Sequence, residues 1–168
     1  MDLKKVNQSL FAQAKELKMC DEVHRYWYGK SLPVNDLANL MYRNLDFCID
    51  NRWPSKETLK THFSDDERRR NGVLVDDEWS LLNTTFAVIV GDSNAKARYN
   101  AFNVGKIYVM DNSRCEITVK GHASLTIHVY DTASVSVAAQ EHAHVLLVEH
   151  SKTCTCETAG QITRKECI

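Results

Sequence analysis

Small and apolar residues recur about every ten positions between Thr85 and Thr153, with polar residues between them. In most units, apolar or small residues follow two and four positions after the first small residue. The units begin at Thr85, Ala95, Gly105, Ser113, Ala123, Ala133, Ala143 and Thr153, with a spacing of ten except for one step of eight. Alternation within each unit predicts β-strands whose odd-numbered residues point into a core, and the period predicts a repeat architecture.

Two architectures have this period. In an antiparallel meander, successive strands pair as hairpins, whereas in a parallel β-solenoid two units form one coil and each strand stacks on the strand two units later. The outward residues distinguish them, because alternate units of a solenoid lie on opposite faces. One such face is apolar at seven of twelve positions, and the other is polar or small throughout. A meander leaves this segregation unexplained, so the pattern favours the solenoid.

The first third of the chain has helical rather than strand periodicity. Apolar residues at helical spacing predict helices over 3–17, 23–28 and 37–49. Pro54 suits the first turn of another short helix, and segment 64–67 has the sequence of a capping box. We therefore expect a helical segment before the repeat.

These patterns together predict an α+β protein. A helical N-terminal segment over 1–72 precedes a right-handed parallel β-solenoid over 73–158, and 159–168 forms a C-terminal tail or cap. Each coil contains two strand-turn units of about ten residues, which makes about four coils. The handedness follows the general preference of parallel crossover connections.

The apolar face of the predicted solenoid is the expected interaction surface. Because soluble proteins rarely leave a broad apolar patch in water, we expect the N-terminal helices or a second copy of the protein to cover it. Its histidines and tyrosines suit a protein interface. The expected interface residues are Phe86, Val88, Tyr108, Met110, His128, Tyr130, His144, Leu146 and Val148.

Composition adds few constraints on partners. The chain has 168 residues and a formal net charge of −1, so it has no global attraction for nucleic acid or an anionic membrane. No apolar run approaches the roughly 18 residues of a spanning helix, and the N-terminus lacks the apolar stretch of a signal peptide. We expect a cytoplasmic protein with neither nucleic acid nor membrane as partner, and with reduced cysteines.

Three cysteines near the C-terminus have the donor atoms of a soft-metal site. They are Cys154, Cys156 and Cys167, with His144 and His150 nearby in the sequence. Zinc-binding pairs usually have two to four residues between the cysteines, whereas one residue separates Cys154 from Cys156. The expectation is therefore solvent-facing thiols on the polar face, with no metal and no cofactor.

Histidines and acidic residues at the corners could likewise have either a structural or a catalytic role. Solenoid stacking places His122 beside His142, where imidazoles are more often spacers than catalytic bases. Asp111, Asp131 and Glu141 are available for glycoside cleavage, but acidic turn residues are ordinary in this architecture. No catalytic residue is assigned on these grounds.

The corners of the repeat resemble those of short bacterial and phage-type β-solenoid proteins of unassigned function. The resemblance covers about half of the chain, and the corners that carry it are Asn112-Ser113, His122-Ala123, Thr132-Ala133 and His142-Ala143. It implies an accessory or anti-defence role in a mobile element, and no functional residue can be carried over from it.

The leading functional hypothesis is a non-enzymatic interaction or scaffold module that forms a homo-oligomer and binds a protein partner. The alternative is a carbohydrate-binding or carbohydrate-active protein that uses a groove on the solenoid. A deep cleft with clustered carboxylates or histidines favours the alternative, and a flat surface favours the interaction module.

Overall fold

The structure is a computed structural model that describes residues 2–167. Within that range, six helices precede eleven strands, as the predicted α+β class requires. The chain divides into two compact units, Met1–Glu67 and Arg68–Ile168. This division falls within the sixth helix, five residues before the predicted boundary at 72/73.

The helices are short, and all but the last contribute apolar residues to a core. They are α1 (Leu3–Glu16), α2 (Asp21–Trp27), α3 (Val34–Arg43), α4 (Leu45–Asp50), α5 (Lys56–His62) and α6 (Asp65–Arg70). Their apolar stripes form a core of their own that includes Leu10, Trp27, Leu37 and Trp53. Ser64 and Glu67 form the predicted capping box, since each side chain accepts a hydrogen bond from the backbone N–H of the other.

A buried asparagine organises the helical unit. Asn7 Oδ1 accepts hydrogen bonds from the Trp27 indole N–H and the Leu32 backbone N–H, both at 2.9 Å. Its amide nitrogen donates to the carbonyl oxygens of Leu3 and Leu32. The amide oxygen thus accepts two hydrogen bonds and the amide nitrogen donates two. These bonds offset the desolvation cost of burying a side chain that is 1 % exposed.

Two helix predictions need correction. The predicted helix over 37–49 is two helices, α3 and α4, because Asn44 leaves the helical conformation at φ −122° and ψ 34°, and its side chain donates to the Leu40 carbonyl oxygen. An asparagine that bonds to local backbone competes with the helical pattern. Pro54 lies before α5 rather than in its first turn, since Ser55 is the N-cap and accepts from the Thr58 N–H.

The strands form two parallel sheets that face each other. They are β1 (Val73–Val75), β2 (Glu78–Leu82), β3 (Phe86–Val90), β4 (Asn94–Tyr99), β5 (Val104–Val109), β6 (Arg114–Val119), β7 (Ser124–Val129), β8 (Ser134–Ala139), β9 (His144–Glu149), β10 (Thr155–Ala159) and β11 (Ile162–Glu166). Odd-numbered strands make a six-stranded sheet and even-numbered strands a five-stranded sheet. This alternation confirms the predicted solenoid of about four turns.

The register of the solenoid is constant through its middle coils. Ile107 pairs with Ile127, and Ile127 with Leu147, each twenty residues later. These inward side chains are completely buried. The step of eight residues in the sequence is not a slip of the coil, because Gly105 pairs with Leu125 and occupies a strand position rather than the start of a unit.

A tyrosine in the core explains why Gly105 is small. Tyr99 points inward, and its hydroxyl donates to the Thr84 carbonyl oxygen at 2.6 Å. A Cβ added to Gly105 would overlap the Tyr99 ring and would also lie 2.9 Å from the Thr84 carbonyl oxygen, which the Tyr99 hydroxyl holds in place. In the next coil the equivalent positions are Val119 and Leu125, so a large and a small residue exchange places between coils.

Acidic corner residues connect successive coils. The Asp131 carboxylate accepts the Asp111 N–H at 2.9 Å, and the Asp111 carboxylate accepts the Gly91 N–H at 2.8 Å. At the opposite corner, Glu141 accepts the Gly121 N–H at 2.9 Å. The three acidic residues have φ between 53° and 60°, a region costly for side chains with a Cβ, and these charge-assisted bonds offset that cost. Their role is therefore architectural.

The last coil breaks the period. Thr155 pairs with Ser134, twenty-one residues earlier, and Ile162 pairs with Val145, seventeen residues earlier. The extra residue before β10 reverses its alternation, so Cys156 lies beside the inward Val135. The predicted outward placement of Cys154 and Cys156 is wrong for this reason. The region 159–168 contains β11, which extends the solenoid beyond the predicted end at 158.

Exchanging the large and the small residue at positions 99 and 105 of the solenoid core tests how Tyr99 packs against Gly105. Gly105→Leu should lower the free energy of unfolding by about 1–3 kcal/mol through overlap with Tyr99, and Tyr99→Val by about 3 kcal/mol through a cavity. The double variant reproduces Val119 and Leu125 of the next coil. We expect the two losses to be non-additive: in urea unfolding, the double variant should lose less free energy of unfolding than the two single variants lose together, by at least about 1 kcal/mol. Strictly additive losses would contradict this account.

Candidate interaction surface

All nine predicted interface residues lie on the outer side of the six-stranded sheet or at its edge. We call this side the aromatic face. The registers place Val88, Tyr108, His128 and Val148 in one row across successive strands. The other predicted residues belong to neighbouring rows: Phe86 and Leu146 on one side of it, Met110 and Tyr130 on the other, and His144 nearer the corner before β9.

Aromatic rings stack along the aromatic face. The Tyr108 ring lies parallel to His128 with 4.6 Å between centroids, and Tyr130 lies parallel to His150 at 4.1 Å. His128 Nδ1 and His150 Nε2 are 2.9 Å apart, so one imidazole donates a hydrogen bond to the other. Burial, together with the charge of Lys165, holds the pKa of His150 below its ordinary value. The neutral form of the His150 imidazole is therefore favoured.

Exposure changes across the aromatic face. Tyr108, Met110 and Val148 are at most 6 % exposed within the chain, so they have little surface left to offer a partner. Phe86 is 39 % exposed, and His144 is also exposed. Val88, His128, Tyr130 and Leu146 are half-buried. The accessible part of the predicted interface is therefore the side nearest the corner before β5, β7 and β9.

That corner carries three stacked rings, which we call the corner row: Phe102, His122 and His142. The centroid distances are 5.0 Å from Phe102 to His122 and 5.0 Å from His122 to His142, with interplanar angles of 3° and 15°. This confirms the predicted stacking of His122 and His142. Phe102 was not among the predicted interface residues, although its position twenty residues before His122 was the signal that could have found it.

The corner row adjoins further exposed apolar surface. Phe102 is 80 % exposed and Val104 is 68 % exposed. Val104 starts a row on the aromatic face that continues through Ser124 to His144. Two large apolar side chains in water at the same corner, flanked by imidazoles, are typical of the centre of a binding surface.

From β4 onward, the outer side of the five-stranded sheet is polar or carries small residues, as predicted. Lys96 pairs in register with Glu116, and their side chains form an exposed ion pair at 3.6 Å. Arg98 and Arg114 are also exposed. Exposed ion pairs contribute little to stability. This side is therefore a solvated surface on which the Glu116 carboxylate lies among cationic side chains.

A depression lies at the beginning of the five-stranded sheet, with a free volume of about 390 Å³. Its lining residues are Glu78, Trp79, Ser80, Asn94 and Lys96. The Trp79 side chain is 44 % exposed. The repeat pattern does not predict this exposed indole among polar groups, because Trp79 lies before the regular repeat begins.

An arginine and an aspartate position Trp79. The Arg69 guanidinium lies 4.3 Å from the centroid of the Trp79 ring. The same guanidinium donates two hydrogen bonds to Asp77, at 3.0 Å and 2.7 Å. The hydrogen bond and charge of Arg69 hold the pKa of Asp77 below its ordinary value, despite the opposing effect of burial.

The chain matches no protein-family model, no curated protein and no solved structure. Among the described residues, no helix is long and apolar enough to cross a membrane. Two surfaces of the solenoid have the geometry of binding sites: the corner row with its apolar neighbours, and the depression beside Trp79.

The ion pair between Arg69 and Asp77 should make stability depend on pH. Because the pKa of Asp77 is lowered by folding, its contribution is present above the ordinary value of 3.8 and is lost as pH falls through the folded value. Asp77→Asn should cost about 1–2 kcal/mol at neutral pH, as a charged hydrogen-bonding partner is removed. Chemical denaturation at a series of pH values should show this cost shrinking below about pH 4. A cost independent of pH would contradict the assignment.

Proposed function

We propose that this protein is a non-enzymatic interaction module that forms a homodimer through the corner of the solenoid at Phe102. The observation that supports the proposal is the corner row of Phe102, His122 and His142, which is exposed beside Val104. This surface adjoins the predicted interface at His144, which is in the same row as Val104, and it excludes the buried members of that interface.

The rigidity of the corner row suits it to binding. Parallel backbone hydrogen bonds hold the turns in place, since His122 N–H donates to the Ala101 carbonyl at 2.8 Å and His144 N–H donates to the Ala123 carbonyl at 2.9 Å. The rings are already stacked on each other. Little side-chain entropy is therefore left to lose on association, which favours affinity for a given area.

The equal spacing of the corner row favours a second copy of the chain as the partner. Its three rings are separated by 5.0 Å on each side of His122. A two-fold axis through His122 would therefore place Phe102 of each chain against His142 of the other. Such an isologous interface needs one patch that is complementary to itself, and a row symmetric in spacing about its middle ring meets that requirement.

Substitution of Phe102 tests the dimer. Phe102→Ser removes a central aromatic group, so it should cost about 2 kcal/mol of association free energy, or roughly 30-fold in Kd. Sedimentation equilibrium measures the change. Tyr28→Ser is the matched control, because Tyr28 is 76 % exposed in the helical unit and should leave the Kd unchanged.

Two results would count against the homodimer. One is a wild-type chain that sediments as a monomer at every concentration tested. The other is a Phe102→Ser chain that dimerises as tightly as the wild type while its thermal unfolding is unchanged. If the wild type is monomeric but a heterologous protein binds it in a way that depends on Phe102, the surface is an interface for another partner and the homodimer is wrong.

The depression beside Trp79 supports carbohydrate binding as a second candidate function. Sugars stack on exposed aromatic rings through their C–H groups and hydrogen-bond to flanking polar side chains, and Trp79 has Glu78, Asn94 and Lys96 around it. Glu78 is the one carboxylate among these lining residues, so the arrangement suits binding better than acid–base hydrolysis, which uses two.

Trp79→Ala tests this second candidate. If the depression binds carbohydrate, affinity electrophoresis through gels containing different polysaccharides should retard the wild type, and the substitution should remove about 1–3 kcal/mol of binding. Leu82→Ala is the control, because Leu82 is 65 % exposed on the same strand but does not line the depression. Equal retardation of wild type and Trp79→Ala would contradict the candidate.

The cytoplasmic location and the role in a mobile element stay predictions from the sequence.

A further inference from the structure

The last coil brings two thiols and a carboxylate together. The ligand atoms of Glu149, Cys154 and Cys156 all lie within 4.8 Å of one another. The three residues are half-buried, between the fully enclosed middle coils and the exposed last strands. Cys154 Sγ also lies 3.0 Å from the Ser151 carbonyl oxygen, which orients that thiol.

These groups stand where the preceding coil has aliphatic side chains. Cys156 pairs in register with Val135, and Glu149 with Val129, both of which are buried. A carboxylate and two thiols on inward positions are not needed to fill such a space, since valine and alanine fill it one coil earlier. Polar donor groups thus replace aliphatic side chains at equivalent positions of the backbone. This replacement indicates that the groups bind a ligand rather than only fill the core.

Arg164 prepares the carboxylate for this role. Its Nε and Nη2 atoms both donate to Glu149 Oε1, at 2.9 Å and 2.7 Å. These two bonds hold Oε1 in place and thereby fix the orientation of the whole carboxylate. Carboxylates that bind metals are commonly oriented by such hydrogen bonds.

Charge balance selects the kind of ion. The positive charge of Arg164 already balances Glu149, so two thiolates would bring a net charge of −2 to the site, which one divalent cation neutralises. Thiolate donors favour soft or borderline ions over Mg²⁺ and Ca²⁺. Tetrahedral Zn²⁺ with Zn–S bonds of about 2.3 Å needs its sulfurs about 3.8 Å apart, which lies within the observed limit.

We propose that the last coil binds one divalent ion of the zinc type through Cys154 Sγ, Cys156 Sγ and the Glu149 carboxylate. Both thiols lose their protons to solvent when the ion binds. The fourth position of a tetrahedral ion is left for water or another exogenous ligand. The site is independent of the proposed dimer, because the corner row contains none of its residues.

Metal titration of the full chain tests this site. Reduced protein, stripped with a chelator and then freed of it, is titrated with Cd²⁺ while the absorbance of cadmium–thiolate charge transfer is recorded, and with Zn²⁺ in a calorimeter. One ion per chain is expected. A double variant, Cys154→Ala with Cys156→Val, copies the Ala133 and Val135 pattern of the preceding coil and should keep the fold while losing at least about 100-fold in affinity.

Other cysteines provide the controls. Cys20 and Cys167 are both exposed, and Cys20→Ser and Cys167→Ser should each bind one ion as the wild type does. Glu149→Gln should weaken binding by about 10–100-fold while keeping the charge-transfer band. Absence of the band in the wild type would overturn the proposal. So would wild-type affinity in the double variant, or loss of binding in Cys167→Ser.

Discussion

Parallel backbone pairing, at a separation of twenty residues in the middle coils, is the constraint on which the solenoid depends. It requires every inward position to suit the same position in the coils above and below, as Ile107, Ile127 and Leu147 do. Each such buried side chain contributes about 1.5–3 kcal/mol through removal of apolar surface from water. The corner carboxylates of Asp111, Asp131 and Glu141 reinforce the separation by bonding to the turn of the preceding coil.

The same translation that aligns the backbones also stacks the outward side chains. Adjacent strands lie about 4.8 Å apart, so rings at equivalent positions meet at nearly their stacking distance. The pairs on the aromatic face and the corner row, with centroids 4.1–5.0 Å apart, follow directly from it. Repetition of aromatic residues therefore produces a rigid, evenly spaced surface, and its chemistry depends on which rows stay exposed to a partner.

The last coil shows how a small departure from the period changes chemistry. One additional residue before β10 turns Cys154 and Cys156 inward onto Glu149, and the shorter return to β11 brings Arg164 onto the same carboxylate. The inward Arg164 also makes this end unsuited to stacking on another solenoid, since a charged side chain faces where the next core would begin. End-to-end stacking on another solenoid would therefore have to bury the charge of Arg164.

The periodicity of the sequence was sufficient to predict the parallel solenoid, its two faces and the stacking of His122 on His142, because these depend only on a repeated translation. It was insufficient wherever the outcome depends on a particular neighbour. The exposure of Phe102, the burial of Tyr108 and the break of the helix at Asn44 depend on packing around each residue. The orientation of Cys154 and Cys156 depends on the length of one turn, since a single residue reverses the alternation of a strand, and only the tertiary structure shows where that residue is accommodated.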